Sequence, residues 1–248
     1  MKNNIKKPFL IAGPCSAESE KQLFATAKKI KQYTDVFRAG LWKARTNPSS
    51  FSGVGEKGLP WLQRINQKLG LKTSTEIANS KHIEKCLEYN IDMLWIGART
   101  VANPFAINEI AHTLKGTDKT IIIKNPIHPD LQAWIGAVQR LEKMNIKKII
   151  LVHRGFFIGS NKKYRNDPMW EMALKIKKYF PGYLLLCDPS HISGNKNLVY
   201  KISKEALLKH KMDGLMIEAR INPEKSLSDK NQHINTFELK NLYASFIN

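Results

Sequence analysis

TIIIKNPIHPDLQAWIGAVQRLEKMNIKKIILVHR, residues 120–154, contains one full turn of the pattern that organises this chain. TIIIKN (120–125) is a short apolar run of the kind buried on both faces of a sheet. From Asp130 to Met144 the apolar positions fall at helical spacing. IILVHR (149–154) is a second buried run. Strand, amphipathic helix, strand is a βαβ unit, which requires parallel strands and a right-handed crossover.

The same alternation extends in both directions. Further strands are expected at FLIAG (9–13), VFRAGLW (36–42), LKTSTEI (71–77), MLWIGA (93–98), YLLLCD (183–188) and GLMIEA (214–219). Helical stretches are expected at 21–33, 59–69, 81–89, 104–114, 169–179, 198–210 and 236–246. Eight βα units in 248 residues match a (β/α)8 barrel, which typically runs to about 250 residues. The fold class is therefore α/β, a TIM barrel, with residues 1–248 as one catalytic domain. An open doubly wound sheet is the competing arrangement. Such a sheet needs a topological switch point, and no GxGxxG follows the first strand. Ser16, Glu18 and Glu20 are placed to start the first helix, and Pro104, Pro129 and Pro168 suit first helical turns.

Composition excludes several classes. Apolar residues make up 42% of the chain, as in a globular protein. No apolar run approaches the length of a membrane span, about 18 residues. The three cysteines, Cys15, Cys86 and Cys187, give no disulfide framework, so a reducing, cytoplasmic location is expected. The net charge is +19. Its lysines are spread along amphipathic helices as solvated faces, and no nucleic-acid motif accompanies them. A non-catalytic nucleic-acid-binding protein is the alternative from another class. Neither nucleic acid nor membrane is the expected partner.

Polar residues collect at one end of the strands. Cys15 follows the first strand. Arg38, Lys43, Arg45 and Thr46 lie in and after the second. Glu76, Arg99, Lys124 and Arg154 mark the ends of the third to sixth. Asp188 and His191 follow the seventh, Glu218 ends the eighth, and Asp229 lies beyond it. Three long connections, 43–58, 155–168 and 219–235, also follow strands. In a barrel all of these meet at the C-terminal face, where active sites form. Six cations imply substrates with several negative charges. Arg38 and Lys43 share one site only if the strand ends or bends near Gly40, because side chains alternate along a strand. Cys15, His191, Glu218 and Asp229 have the chemistry of ligands for a divalent manganese, iron, cobalt or zinc ion. Strands one and eight are neighbours once a barrel closes. His128, His153 and His233 read as structural, Cys86 as core, and Cys187 as barrel packing close to the metal ligands.

The strings GPCSAES, FRAGLWKARTNPSSFSGVG, STEIAN, WIGART, IIIKN, HRGF, CDPSHISG, DGLMIEA and SLSD occur in that order along nearly the whole chain. Together they resemble the 3-deoxy-D-arabino-heptulosonate 7-phosphate (DAHP) synthases of the type I beta branch. The resemblance implies a metal-dependent aldol-type condensation of phosphoenolpyruvate with erythrose 4-phosphate and water, the first step of the shikimate pathway. It implies metal ligation by Cys15, His191, Glu218 and Asp229. Arg38, Lys43, Arg99, Lys124 and Arg154 would bind phosphoenolpyruvate, and Arg45 and Thr46 the aldose phosphate. Lys43, Glu76 and His191 are the catalytic candidates, and a homodimer or homotetramer is expected.

The chain departs from that family in three ways. Ala44 stands where Pro is common. Arg220 stands where relatives often carry His. There is no room for a chorismate mutase or ferredoxin-like regulatory domain, so an enzyme without built-in feedback by Phe or Tyr is expected. The sister octulosonate 8-phosphate synthases use arabinose 5-phosphate and usually carry one more residue between the Lys and the Arg. Lys43-Ala44-Arg45-Thr46 favours the four-carbon aldose.

Overall fold

The computed structural model describes residues 7–159 and 163–247. Eight strands form a closed barrel in chain order: β1 Phe9–Gly13, β2 Val36–Arg38, β3 Lys72–Ile77, β4 Met93–Ile96, β5 Thr120–Lys124, β6 Ile149–His153, β7 Leu184–Cys187 and β8 Gly214–Glu218. Every neighbouring pair is parallel, including the closing pair β1 and β8. The fold is the expected (β/α)8 barrel.

The helices are α1 Glu20–Ile30, α2 Leu59–Leu69, α3 Ser80–Glu88, α4 Pro104–Leu114, α5 Leu131–Lys143, α6 Trp170–Tyr179, α7 Pro189–Ser193, α8 Lys196–Lys204 and α9 Thr236–Ile247. Their starts are built into the sequence. Asn79, Asn103 and Asp130 each accept a backbone N–H from the first turn of α3, α4 and α5, which stabilises such a helix by about 1 kcal/mol. Pro104 occupies the first turn of α4 as expected. Pro129 and Pro168 fall just before the caps of α5 and α6. The cap of α1 is Ser19, not Ser16, and Glu18 turns to other partners. Helix α7 was not anticipated, and the stretch expected at 198–210 divides into α8 and a wider turn over Glu205–Lys209.

Two apolar layers hold the barrel. Ile11, Val36, Met93, Trp95, Ile122, Ile150, Val152, Leu186 and Met216 fill its interior. The alternate strand residues, such as Ile121, Ile123, Leu151, Leu185 and Leu215, pack outward against the helices. Burying each such side chain contributes roughly 1.5–3 kcal/mol. Cys187 belongs to the outer layer. It packs in the layer against the helices, not in the barrel interior.

The period of two then places the site. Val36 points inward, so Arg38 does as well. Ile122 leads to Lys124, Met216 to Glu218, Leu186 to Asp188, and Val152 to Arg154. The last inward position on strand after strand is thus polar or charged, and those positions share the C-terminal mouth.

Candidate active site

A cleft of about 820 Å³ opens at that mouth. Arg38, Lys43, Arg45, Thr46, Glu76, Arg99, Lys124, Arg154, His191 and Asp229 all line it. Cys15 and Glu218 are fully buried beside these residues. The twelve residues named from the sequence therefore come together at one end of the barrel.

β2 ends at Arg38, and Gly40 pairs with Ser16 outside the regular strand. This break lets Lys43 return to the mouth, where its Nζ lies 3.1 Å from the Cys15 carbonyl and 3.2 Å from Cys15 Sγ. The approach of β1 to β2 requires Gly13, since a Cβ there would meet the Arg38 carbonyl oxygen at 2.0 Å.

The protein pairs these cations to different extents. Arg38 is buried, donates to Glu218 Oε1 at 3.2 Å and stacks 4.9 Å over the Trp95 ring. Its Nε and Nη1 have no partner among the described residues. Buried donors of this kind ordinarily meet an acceptor. Lys124 donates to Asp188 Oδ2 at 2.8 Å. Arg154 donates to Asn166 Oδ1 at 3.0 Å, and burial pushes its pKa down to about 10, so it remains charged at neutral pH. Arg99 donates to Thr46 Oγ1 at 3.2 Å. Arg45 donates to the Phe51 carbonyl at 2.9 Å and to Ser228 Oγ.

The four metal-ligand candidates stand as two pairs. Cys15 Sγ lies 3.2 Å from Asp229 Oδ2, and His191 Nε2 lies 3.7 Å from Glu218 Oε1. Ligands at about 2.0–2.3 Å from one ion sit at comparable mutual distances. Among the described residues, no three His, Cys, Asp or Glu side chains form a ready-made metal cluster. The donor set itself, one thiol, one imidazole and two carboxylates, suits a divalent transition metal.

Electrostatics prepare these groups unequally. Burial, reinforced by the Glu218 charge, pushes the Cys15 thiol up to about 12. Burial also works against ionisation of Glu218, but His191 and Arg38 outweigh it and hold its pKa at about 2. At Asp229 the Arg165 guanidinium outweighs burial and keeps the carboxyl well below the usual range. Burial lowers the pKa of His191, which favours the neutral imidazole needed for ligation. Asp188 fixes this residue twice. Its Oδ2 lies 2.7 Å from His191 Nδ1, and its Oδ1 accepts the His191 backbone N–H at 3.0 Å.

Several neighbours of these residues escaped the sequence reading. Arg165 lines the cleft and donates to Asp229 Oδ1 and Gln232 Oε1, both at 2.8 Å. Gln232 donates to Glu218 Oε2 at 2.7 Å. Ser228 Oγ lies 3.1 Å from both Cys15 Sγ and Asp229 Oδ2. Position in a long loop after a strand was the available signal for Arg165 and Gln232, while Ser228 also stands in the SLSD string.

The fold and this cleft define a (β/α)8 barrel whose mouth gathers cationic side chains beside a thiol–imidazole–carboxylate donor set. The chain belongs to the DAHP synthetase I family, whose model matches residues 3–246. It is 32% identical over 231 residues to the phospho-2-dehydro-3-deoxyheptonate aldolase of Thermotoga maritima, a match covering 93% of this chain and 66% of that protein. The chain thus spans just under two thirds of that relative's length. It is 29% identical over 249 residues to a 2-dehydro-3-deoxyphosphooctonate aldolase of a Cyanothece species, covering 90% of this chain and 85% of the relative. The crystal structure of the Thermotoga maritima DAHP synthase superposes with a TM-score of 0.85 at 29% identity, covering 96% of this chain and 67% of that one. A truncated form of the Thermotoga enzyme gives 0.82 at 28% identity, covering 96% and 84%.

Proposed function

We propose that the protein condenses phosphoenolpyruvate with D-erythrose 4-phosphate and water, releasing DAHP and inorganic phosphate at the start of the shikimate pathway. The convergence of the cation set on one cleft beside the four donor side chains carries this reading. Family membership supports it.

Arg38, Lys43, Arg99, Lys124 and Arg154 bind the phosphate and carboxylate of phosphoenolpyruvate. The free Nε and Nη1 of Arg38 suit the paired oxygens of either group. Arg45 and Thr46, on the loop across the cleft, hold the aldose phosphate. Fixing both anions brings C3 of phosphoenolpyruvate to the aldehyde carbon, and such orientation is a large part of rate acceleration. The new C–C bond forms there, water adds at C2, and phosphate leaves by C–O cleavage. Lys43, Glu76 and His191 would hold or move protons. Cys15, His191, Glu218 and Asp229 would hold a manganese, iron, cobalt or zinc ion, which when bound polarises the aldehyde oxygen. The described cysteines are free and buried, which supports a reducing, cytoplasmic setting. Among the described residues no helix is long and apolar enough to cross a membrane.

Octulosonate-type relatives make the aldose the point to test. Phosphate release is measured with phosphoenolpyruvate and either erythrose 4-phosphate or arabinose 5-phosphate. Turnover is expected to favour the four-carbon sugar. A clear preference for arabinose 5-phosphate overturns the assignment.

A further inference from the structure

Glu18 lies in the bend between β1 and α1, three residues after Cys15. Its Oε1 accepts Nη1 of Arg220 at 2.8 Å and the backbone N–H of Leu227 at 2.9 Å. Ser226 Oγ is 3.4 Å from the same oxygen, and its hydroxyl donates to the Ser228 carbonyl at 2.8 Å. Arg220 comes two residues after Glu218 and is almost wholly buried, while Glu18 is nearly so. One carboxylate thus ties together the three segments that carry Cys15, Glu218 and Asp229.

The tie has a local reason. Asp229 has φ of 52°, a left-handed conformation that an L side chain adopts at a cost. Such a residue holds its place only when the surrounding chain fixes it. The Leu227 anchor lies two residues upstream, and the Ser226–Ser228 link carries the constraint to the neighbour of Asp229. Just beyond it, Ser228 Oγ and Asp229 Oδ2 stand 3.1 and 3.2 Å from Cys15 Sγ. A buried ion pair also resists sliding, because separating it would leave two uncompensated charges.

We propose that the Glu18–Arg220 ion pair is a positioning clamp that sets Ser228 and Asp229 against Cys15 and so governs how tightly the site binds a divalent cation. The inference rests on the ligand assignment above. Neither residue lines the cleft. They act through the loop, as residues behind metal ligands commonly do.

The test titrates chelator-stripped protein with cobalt(II) and follows the sulfur-to-cobalt absorption, which reports Cys15 ligation directly. Glu18→Gln and Arg220→Gln are each expected to weaken cobalt(II) binding by about 10- to 100-fold. The double variant should be no weaker than the weaker single, because one interaction is removed in each case. Arg220→Lys, which keeps the charge, should recover most of the affinity. In metal-free protein, Cys15 alkylation should be faster in Glu18→Gln as the loop loosens. If that variant fails to fold, Ser226→Ala cuts the link from anchor to Ser228 without removing a charge and takes the same readouts. Cobalt affinity and alkylation rate unchanged to within about twofold overturn the clamp, since such supporting contacts carry larger effects. Absence of the sulfur-to-cobalt band in the unsubstituted protein overturns the ligand assignment itself.

Discussion

His233 and Cys15 are 218 positions apart, yet His233 Nε2 accepts the Cys15 backbone N–H at 2.9 Å. The other ring nitrogen, Nδ1, lies 3.1 Å from the Asp229 carbonyl. Together these bonds define one tautomer, with the proton on Nδ1. A single neutral imidazole therefore joins the loop after β1 to the loop after β8, at the two residues whose side chains face each other across the donor set. Burial favours this neutral form by lowering the His233 pKa.

Replacing that imidazole should loosen the junction. His233→Ala leaves the buried Cys15 N–H without an acceptor, at a cost of about 1–3 kcal/mol. Urea unfolding of both proteins measures the difference. Equal midpoints and slopes would remove His233 from the support of the site.

The ligand assignment predicts a shared fate for Cys15 and His191. Treatment with a strong chelator should abolish phosphate release, and added manganese or cobalt should restore it. Cys15→Ser and His191→Ala should each lower turnover by roughly 100-fold or more, the scale of losing a group that fixes the reacting centre. Neither variant should be rescued by added metal at levels that saturate the unsubstituted protein. Normal metal-dependent turnover in either one rejects its place among the ligands.

Gly97 lies just past the end of β4, two positions after the inward-facing Trp95, and a Cβ there would meet Glu76 Oε1 at 2.1 Å. Gly97→Ala must therefore push the Glu76 carboxylate aside within the cleft. The carboxylate is the free end of a partly exposed side chain, so the unfolding free energy should change by less than about 1 kcal/mol, well below the cost of overpacking a core. Turnover should fall by about 100-fold, the scale of an ångström-sized displacement of a reacting group. Unchanged turnover in this variant would show that the Glu76 position does not matter to the reaction.

His153 supplies a pH dependence of stability. Burial lowers its pKa to about 4, against an ordinary value of 6.5, although Nε2 bonds to the Pro168 carbonyl. Arg154 and His210 add to the lowering, and Asp188 opposes it. Above pH 6.5 the imidazole is neutral in both folded and unfolded chains, and its contribution is constant. Between pH 6.5 and about 4 only the unfolded chain takes up the proton, so stability is lost as pH falls through that window. The loss approaches roughly 1.4 kcal/mol per pH unit. Thermal unfolding between pH 7 and 4.5 should show a shallower decline for His153→Gln than for the unsubstituted protein. Parallel curves would exclude His153 as a source of the decline.

The alternation of buried strands and amphipathic helices was legible in the sequence because both signals are local. The unbroken apolar run in TIIIK and period 3.6 in the helix that follows need only neighbouring residues. Local spacing also placed the cations, since Arg38, Lys124 and Arg154 each stand two positions beyond an inward apolar residue on their own strand. Even the break near Gly40 could be inferred, because Lys43 reaches Arg38 only if the strand stops.

What the tertiary structure decided depends on closure. Glu218 meets Cys15 because β1 and β8 pair with Gly13 opposite Glu218, a register set by the whole barrel. Glu18 reads locally as a helix-start acid, yet it binds Arg220 and Leu227, more than 200 positions away. Arg165 and His233 carry no periodic signal, because irregular loops have none, and their partners exist only once the barrel ends bring three loops together. The sequence by itself thus determined which elements form and which strand ends carry charge, since those properties are set within a few residues. How the loops grip Asp229 and Cys15 was decided only by the fold, since hydrogen bonds across such separations leave no local trace.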